Sequence, residues 1–218
     1  MFELKLGEAD RRRLRILCLG AHCDDIEIGC GGTILKILES HPGSEVHWVV
    51  FSSIEIRKAE ALVSAKQFLG DAEKSTISVR EFRDGFFPYH GPEIKEQFES
   101  LKALIDPDLI FTHYHADAHQ DHRLVNELTW NTFRNHFVLE YEIPKYEGDL
   151  GQPNVYTLLD ERTCQKKIEI LMNAFPSQRR KQWYSEETFR AILRLRAIES
   201  RAPGGYAEAF HCRKLVIS

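Results

Sequence analysis

The sequence predicts a single α/β domain over residues 1–218, Rossmann-like, with a mainly parallel sheet flanked by helices and an irregular α/β elaboration at its C-terminal end. Three observations predict it. Short apolar runs alternate with amphipathic stretches of helical period, the pattern of right-handed βαβ crossovers. The first run, LRILCLGA (Leu14 to Ala21), is apolar without alternation, as suits a strand covered on both faces of a parallel sheet. The composition, 43% hydrophobic and 11% aromatic over 218 residues, is sufficient for one real core and excludes a disordered chain.

Each element follows in order. GTILKILESHPG (Gly32 to Gly43) has Ile34, Leu35 and Leu38 at helical spacing and stops at Pro42-Gly43, a helix expected to begin near Gly31. EVHWVVFSS (Glu45 to Ser53) is the second strand, and Ile54 to Gly70 the second helix, with Gly70 expected as its C-cap. STISVREF (Ser75 to Phe82) is a third, shorter strand, followed by a loop through Asp84-Gly85. The helix Gly91 to Pro107 places Ile94, Phe98, Leu101 and Leu104/Ile105 on one side, and DLIFTH (Asp108 to His113) is the fourth strand. Beyond Val138 the regularity loosens into two late strands, VLEYEIP and NVYTLL, and two helices, CQKKIEILMNAF and SEETFRAILRLRAIES. PGG (Pro203 to Gly205) breaks the last of these.

Charge and cysteine content narrow the function classes. The net charge is −4, and the only tight basic cluster, Arg11 to Arg13, fits a solvated strand entrance better than a nucleic-acid face. No apolar stretch approaches a membrane span, and the opening MFELKLGEADRRRLR lacks the apolar core of a signal peptide. Five cysteines without zinc-ribbon spacing fit free thiols in a reducing cytoplasm. The expected setting is therefore cytoplasmic. A homo-oligomer is compatible with the sequence, which does not itself define the assembly.

Two polar clusters interrupt this plan. LGAHCDDIEIGCGG puts His22, Asp24 and Asp25 directly after the first strand. THYHADAHQDHRLV puts His113, His115, His119 and His122, with Asp117 and Asp121, directly after the fourth. In an open parallel sheet both loops emerge at the carboxyl edge, where such folds place their sites, so the clusters can converge. Neutral imidazole and carboxylate are good donors to a divalent metal, and catalytic zinc uses three protein ligands with one position left for water. His22 and Asp25, three apart in a tight turn, can share one ion, with His122 as third ligand. His119 and His122 share a face if QDHRLVNELTW begins a helix, so that one binds metal while the other faces substrate. HCDD alone is explained equally well by an N-cap and polar loop. The isolated histidines His41, His47, His90 and His136 are read as structural. A dinucleotide fingerprint fails, because Gly29, Gly31 and Gly32 arrive late and carboxylates occupy the turn where a pyrophosphate would sit. The glycines are expected to allow close helix packing.

These residues resemble the PIG-L/LmbE family of zinc-dependent N-deacetylases. The family pattern A-H-P-D-D-E, then G-G-T, then H-x-D-H is matched by Ala21-His22-Cys23-Asp24-Asp25, Gly31-Gly32-Thr33 and His119-Gln120-Asp121-His122. Arg57, the Asp84-Gly85 pair and Ser177-Gln178 extend the likeness more loosely. The resemblance implies that His22, Asp25 and His122 ligate zinc and that Asp24 is the general base on the attacking water. It implies that His119 stabilises the oxyanion and protonates the leaving amine, with Asp121 orienting it, and that Arg57 and Asp84 contact the sugar. Other divalent metals, Fe2+, Co2+ or manganese, suit the same donors. Cys23 and Gln120 replace common prolines, and Ile26 stands where glutamate is usual, with Glu27 one position later. Cys23 is either a small buried side chain or an added soft donor.

The expected function is removal of an N-acetyl group from an amino sugar or a sugar conjugate, including a nucleotide-linked sugar. The alternatives are an amidase on a larger sugar-thiol or antibiotic conjugate and a noncatalytic metal- or sugar-binding module. Asp24 and His119 beside the ligands speak against the latter, since binding alone needs neither. Tyr146, Arg179, Arg180, Trp183 and Tyr184 are candidates for the substrate rim, with packing and surface charge an equal explanation.

Overall fold

In the computed structural model, which describes residues 13–70 and 72–216, strand β1 (Arg15–Gly20) lies inside a seven-stranded sheet. Ile16 and Cys18 point into one apolar layer, and Leu17 and Leu19 into the other. That two-sided burial is why the run is apolar without alternation. β2 (Glu45–Val50), β3 (Lys74–Val79), β4 (Leu109–His113) and β5 (Phe137–Tyr141) complete a parallel set in the order β3-β2-β1-β4-β5. The register places Arg15 beside Glu45 on one side, and Ile16 beside Leu109 on the other. β7 (Tyr206–His211) then joins β5 antiparallel and carries β6 (Val155–Leu159) at the edge.

Helices α1 (Asp25–Ser40), α2 (Glu55–Phe68) and α5 (Glu161–Ala174) pack together over one layer, with Trp48, Phe68, Phe111 and Phe175 in their shared core. Helices α3 (Gly91–Leu104) and α4 (Gln120–Thr132) cover the other, over Phe51, Phe98, Ile110 and Val125. α6 (Glu186–Ser200) packs on β7. The crossovers from β1 and β4 thus leave toward opposite faces, which opens a crevice between these two strands at their carboxyl ends.

Three expectations are corrected. α1 begins at Asp25, not near Gly31, because its residues from Asp25 to Leu35 are buried without a break and so show no amphipathic period. Gly70 is not a left-handed cap: α2 ends on Leu69, whose N–H reaches the Ala65 carbonyl at 2.9 Å. β7 was not anticipated, since YAEAFH has little strand character and is held by pairing on both sides. Its Glu208 is buried and accepts from the Gly32 and Thr33 N–H groups and from the Lys167 ammonium at 2.6–2.7 Å. Arg13 is exposed and pairs with Glu73. Arg11, Arg12 and the N-terminal stretch read for a leader lie outside the described residues.

The late glycines allow close approach, as expected, but from inside α1. A β-carbon on Gly31 would lie 2.6 Å from the Phe68 ring, one on Gly32 2.6 Å from Leu159, and one on Gly29 against the Tyr141 ring. On an exposed helix Gly→Ala stabilises by about 1 kcal/mol. Here Gly29→Ala is expected to destabilise by roughly 1–3 kcal/mol through overpacking, measured as a lowered midpoint of urea unfolding. A raised midpoint would contradict this packing.

Candidate active site

Every polar residue of HCDD and most of those of HADAHQDH meet in the crevice between β1 and β4. Asp24 occupies the N-cap position of α1, yet its side chain makes no capping bond. It turns to α2, where the Arg57 guanidinium donates to Oδ1 at 2.6 Å, while Oδ2 is buried without a partner. Asp25, the first residue of α1, accepts the His22 backbone N–H at 2.6 Å, which closes the turn over a single carboxylate.

The hydrogen-bond network assigns the protons. His122 Nδ1 lies 2.9 Å from the Asp117 carboxylate and therefore carries a proton. His22 Nε2 faces Asp84 Oδ1 at 2.9 Å and Asp121 Oδ2 at 3.3 Å, so it carries a proton there. His22 Nδ1, His122 Nε2 and Asp25 Oδ2 converge at separations of 3.1, 3.4 and 3.6 Å. Burial opposes a charge on His22, but its bonds to Asp121, Asp25 and Asp84 outweigh this and raise its pKa well above the ordinary value, so without a cation Nδ1 carries a proton directed at the bare Nε2 of His122. Tetrahedral zinc with bonds of 2.0–2.2 Å sets its donors about 3.3–3.6 Å apart. Two imidazole nitrogens and a carboxylate oxygen at that spacing fit a divalent cation, which would take the place of the His22 Nδ1 proton. Burial and the adjacent His113 push His122 down to about 3, so its ring is neutral. Burial opposes ionisation of Asp25, but the surrounding histidines outweigh it and hold the carboxylate well below its ordinary value.

His119 is the N-cap of α4. Its Nδ1 accepts the Asp121 backbone N–H at 3.2 Å, and because that group can only donate, the ring proton sits on Nε2. Burial and then His22 lower its pKa, which keeps the ring neutral. Burial raises Asp24 above the ordinary carboxylate value, with Arg57 opposing and Asp25 reinforcing the shift.

The expected residues are brought together, though several bonds differ from those implied. Asp121 does not touch the His119 ring through its carboxylate. It accepts from His22, from Gly85 N–H at 2.6 Å and from Phe87 N–H at 3.1 Å, and so pins the loop after β3 against the site. Gly85 has φ +78°, a backbone that glycine adopts freely. Arg57 is bonded to Asp24, and Asp84 to His22. His115 pairs with Glu140 and stands apart from the donors. The Cys23 thiol is fully buried, donates to the Ser52 carbonyl at 3.3 Å and is raised by burial to about 12, which leaves it a packing residue. Tyr184 belongs to the core, its hydroxyl on the Leu171 carbonyl, and Arg179 holds the Met172 carbonyl. Tyr146 is exposed and meets Gln182 N–H across two loops.

The sequence did not reveal the support behind His122. Asp117 accepts from His122, from the His119 backbone and from buried Lys145, which also bonds Asp149. Asp149 in turn caps Ala118 N–H at 2.5 Å. Asp117 lay within the histidine cluster, but Lys145 and Asp149 come from the irregular segment after β5, where no spacing marks them.

The PIG-L family model, described as GlcNAc-PI de-N-acetylase, matches residues 17–133. This chain belongs to the PIG-L family. The match contains β1 to α4 and hence both polar clusters. The Escherichia coli K12 protein described as uncharacterized deacetylase YaiS is 25% identical over 154 residues, which cover 64% of this chain and 78% of YaiS. The N,N'-diacetylchitobiose deacetylase of Pyrococcus horikoshii superposes with a TM-score of 0.65 at 21% identity, over 95% of this chain and 86% of that one. GalB, a 4-carboxy-2-hydroxymuconate hydratase from Pseudomonas putida KT2440, superposes with a TM-score of 0.71 at 18% identity, over 94% and 98%. The two solved structures share the fold, and this fold carries more than one chemistry.

Partners that hold the outer nitrogen of a metal-ligating histidine typically contribute 10–100-fold to affinity. Asp117→Ala is therefore expected to weaken Zn2+ binding by about that factor in equilibrium dialysis. Unchanged affinity would remove Asp117 from the support of His122.

Proposed function

We propose that this chain is a metal-dependent hydrolase that removes an N-acetyl group from an amino sugar or sugar conjugate, nucleotide-linked sugars included. The observation that carries the reading is the set of three converging donors, two imidazole nitrogens and a carboxylate oxygen, beside a carboxylate with one oxygen held and one oxygen free. His22, Asp25 and His122 would hold the cation, with zinc proposed. When bound, such an ion polarises the amide carbonyl and makes water acidic enough to be a nucleophile near neutral pH.

The remaining steps belong to the protein. Arg57 fixes Asp24 through Oδ1, which leaves Oδ2 to take the proton of the attacking water. The elevated pKa of Asp24 suits a group that must hold that proton and then deliver it to the leaving amine. Neutral His119, its proton fixed on Nε2, is a hydrogen-bond donor for the developing oxyanion. We assign it that role in preference to protonating the amine, because a neutral ring that loses its only proton would become an imidazolate. Asp121 positions His22 and the β3 loop. Asp84, 61% exposed at the mouth, is the proposed sugar contact, and Arg57 is assigned to Asp24 in place of the sugar. A noncatalytic binding module is disfavoured by the free oxygen of Asp24. The likeness to a hydratase is one of fold alone.

A panel of N-acetylated sugars, free, nucleotide-linked and lipid-linked, scored by released acetate, tests the activity. Asp24→Asn is expected to retain bound Zn2+ and lose about 10²–10⁴-fold in turnover, whereas His22→Ala loses both. Full turnover in Asp24→Asn would sink the base assignment. The active form of Asp24 is deprotonated, so activity falls as pH drops through its raised pKa. Arg57 holds that pKa down, and Arg57→Gln is therefore expected to move the acid limb of kcat/KM to higher pH. An unmoved limb would show that another group sets it.

A further inference from the structure

A second donor set faces the other edge of His22. Asp84, His119 and Asp121 each offer a ligand atom, and these atoms lie together with one from His22 within 4.8 Å. Asp84 comes from the loop after β3, and His119 and Asp121 from the start of α4. The loop is tied to α4 by the Gly85 and Phe87 N–H groups on Asp121, so the three side chains form one built cluster. His22 Nε2 lies 2.9 Å from Asp84 Oδ1 and 3.3 Å from Asp121 Oδ2, and among the described residues Asp84 has no backbone N–H on it comparable to the two on Asp121. Two carboxylates and an imidazole therefore stand together at this edge. Asp84 is largely exposed, which gives a cation a path from solvent.

The geometry points to a second cation position, formed by Asp84, His119 and Asp121, with His22 standing between it and the first. Its two oxygens and one nitrogen suit divalent zinc, cobalt or manganese. It is the weaker of the two positions for a reason visible in the bonds. His119 can ligate through Nδ1 only by giving up the Asp121 N–H bond. It can ligate through Nε2 only if the ring proton moves to Nδ1 or leaves, and a proton on Nδ1 meets the same N–H head-on. Either route costs the hydrogen bond by which His119 caps α4. Occupancy also takes His119 away from the pose proposed for it in catalysis, so excess metal is inhibitory. This consequence for turnover rests on the proposed function, whereas the binding itself does not.

The test is titration of metal-free protein with Zn2+ alone, followed by calorimetry and by metal analysis after dialysis. Wild type is expected to bind two equivalents, one tight and one weaker. Asp84→Asn keeps an oxygen acceptor for His22 Nε2 but removes the anionic ligand, and is expected to retain the tight equivalent and lose the weaker. His119→Gln is expected to do the same by removing the ring nitrogen, and His122→Ala to lose the tight equivalent. Turnover of wild type should rise with the first equivalent and fall with excess, and the fall should be absent in Asp84→Asn relative to its own maximum. One equivalent in wild type, or two of unchanged affinity in both Asp84→Asn and His119→Gln, would overturn the second position and leave the proposed function standing. No bound zinc at all would overturn both.

Discussion

The site depends on one topological constraint: β1 and β4 are neighbours whose connections depart to opposite faces of the sheet. Parallel strands side by side bring their carboxyl ends to one edge, and opposed crossovers leave that edge uncovered between them. HCDD and DAHQDH occupy this gap. Neither cluster alone supplies three ligands, and only their convergence makes His22, Asp25 and His122 a single set at 3.1–3.6 Å.

Burial around this gap makes the donors a candidate cation site. Both histidines direct their outer nitrogens to carboxylates, His122 to Asp117 and His22 to Asp84 and Asp121, which turns His22 Nδ1 and His122 Nε2 toward each other at 3.1 Å and toward Asp25. Charge crowded into a buried site is costly, and a cation held by these donors in place of the His22 proton would balance the carboxylates around it. The same carboxylates serve structure as well: Asp121 anchors the loop that carries Asp84, and Asp117 organises the start of α4. Ligand geometry and loop position are therefore coupled.

The tight packing of α1 serves the same end. Its first residue is Asp25, and the helix must lie close to the sheet for that carboxylate to reach His122 of α4. Gly29, Gly31 and Gly32 permit that approach against Tyr141, Phe68 and Leu159. The buried Lys167–Glu208 pair reaches the α1 backbone at Ile28, Gly32 and Thr33. Family membership, which rests on residues 17–133, covers the ligands and Asp24, but not the segment that supplies Lys145, Asp149 and β7.

Much of this was legible in the sequence. Doubly buried strands, crossover order and the two polar clusters all leave local signatures, because periodicity and composition respond to burial along the chain. Those signatures were sufficient for the parallel sheet, for His22, Asp25 and His122 at one edge, and for Asp24 and His119 beside them. The start of α1 was hidden, since a helix buried on every side has no period to detect. β7 was hidden because its pairing partners, not its residues, make it a strand. The tertiary structure alone decided the direction of each hydrogen bond: Arg57 to Asp24, His22 to Asp121 and Lys145 to Asp117. Such bonds join groups far apart in the chain, and their choice of partner depends on distances of a few ångströms that no local spacing encodes.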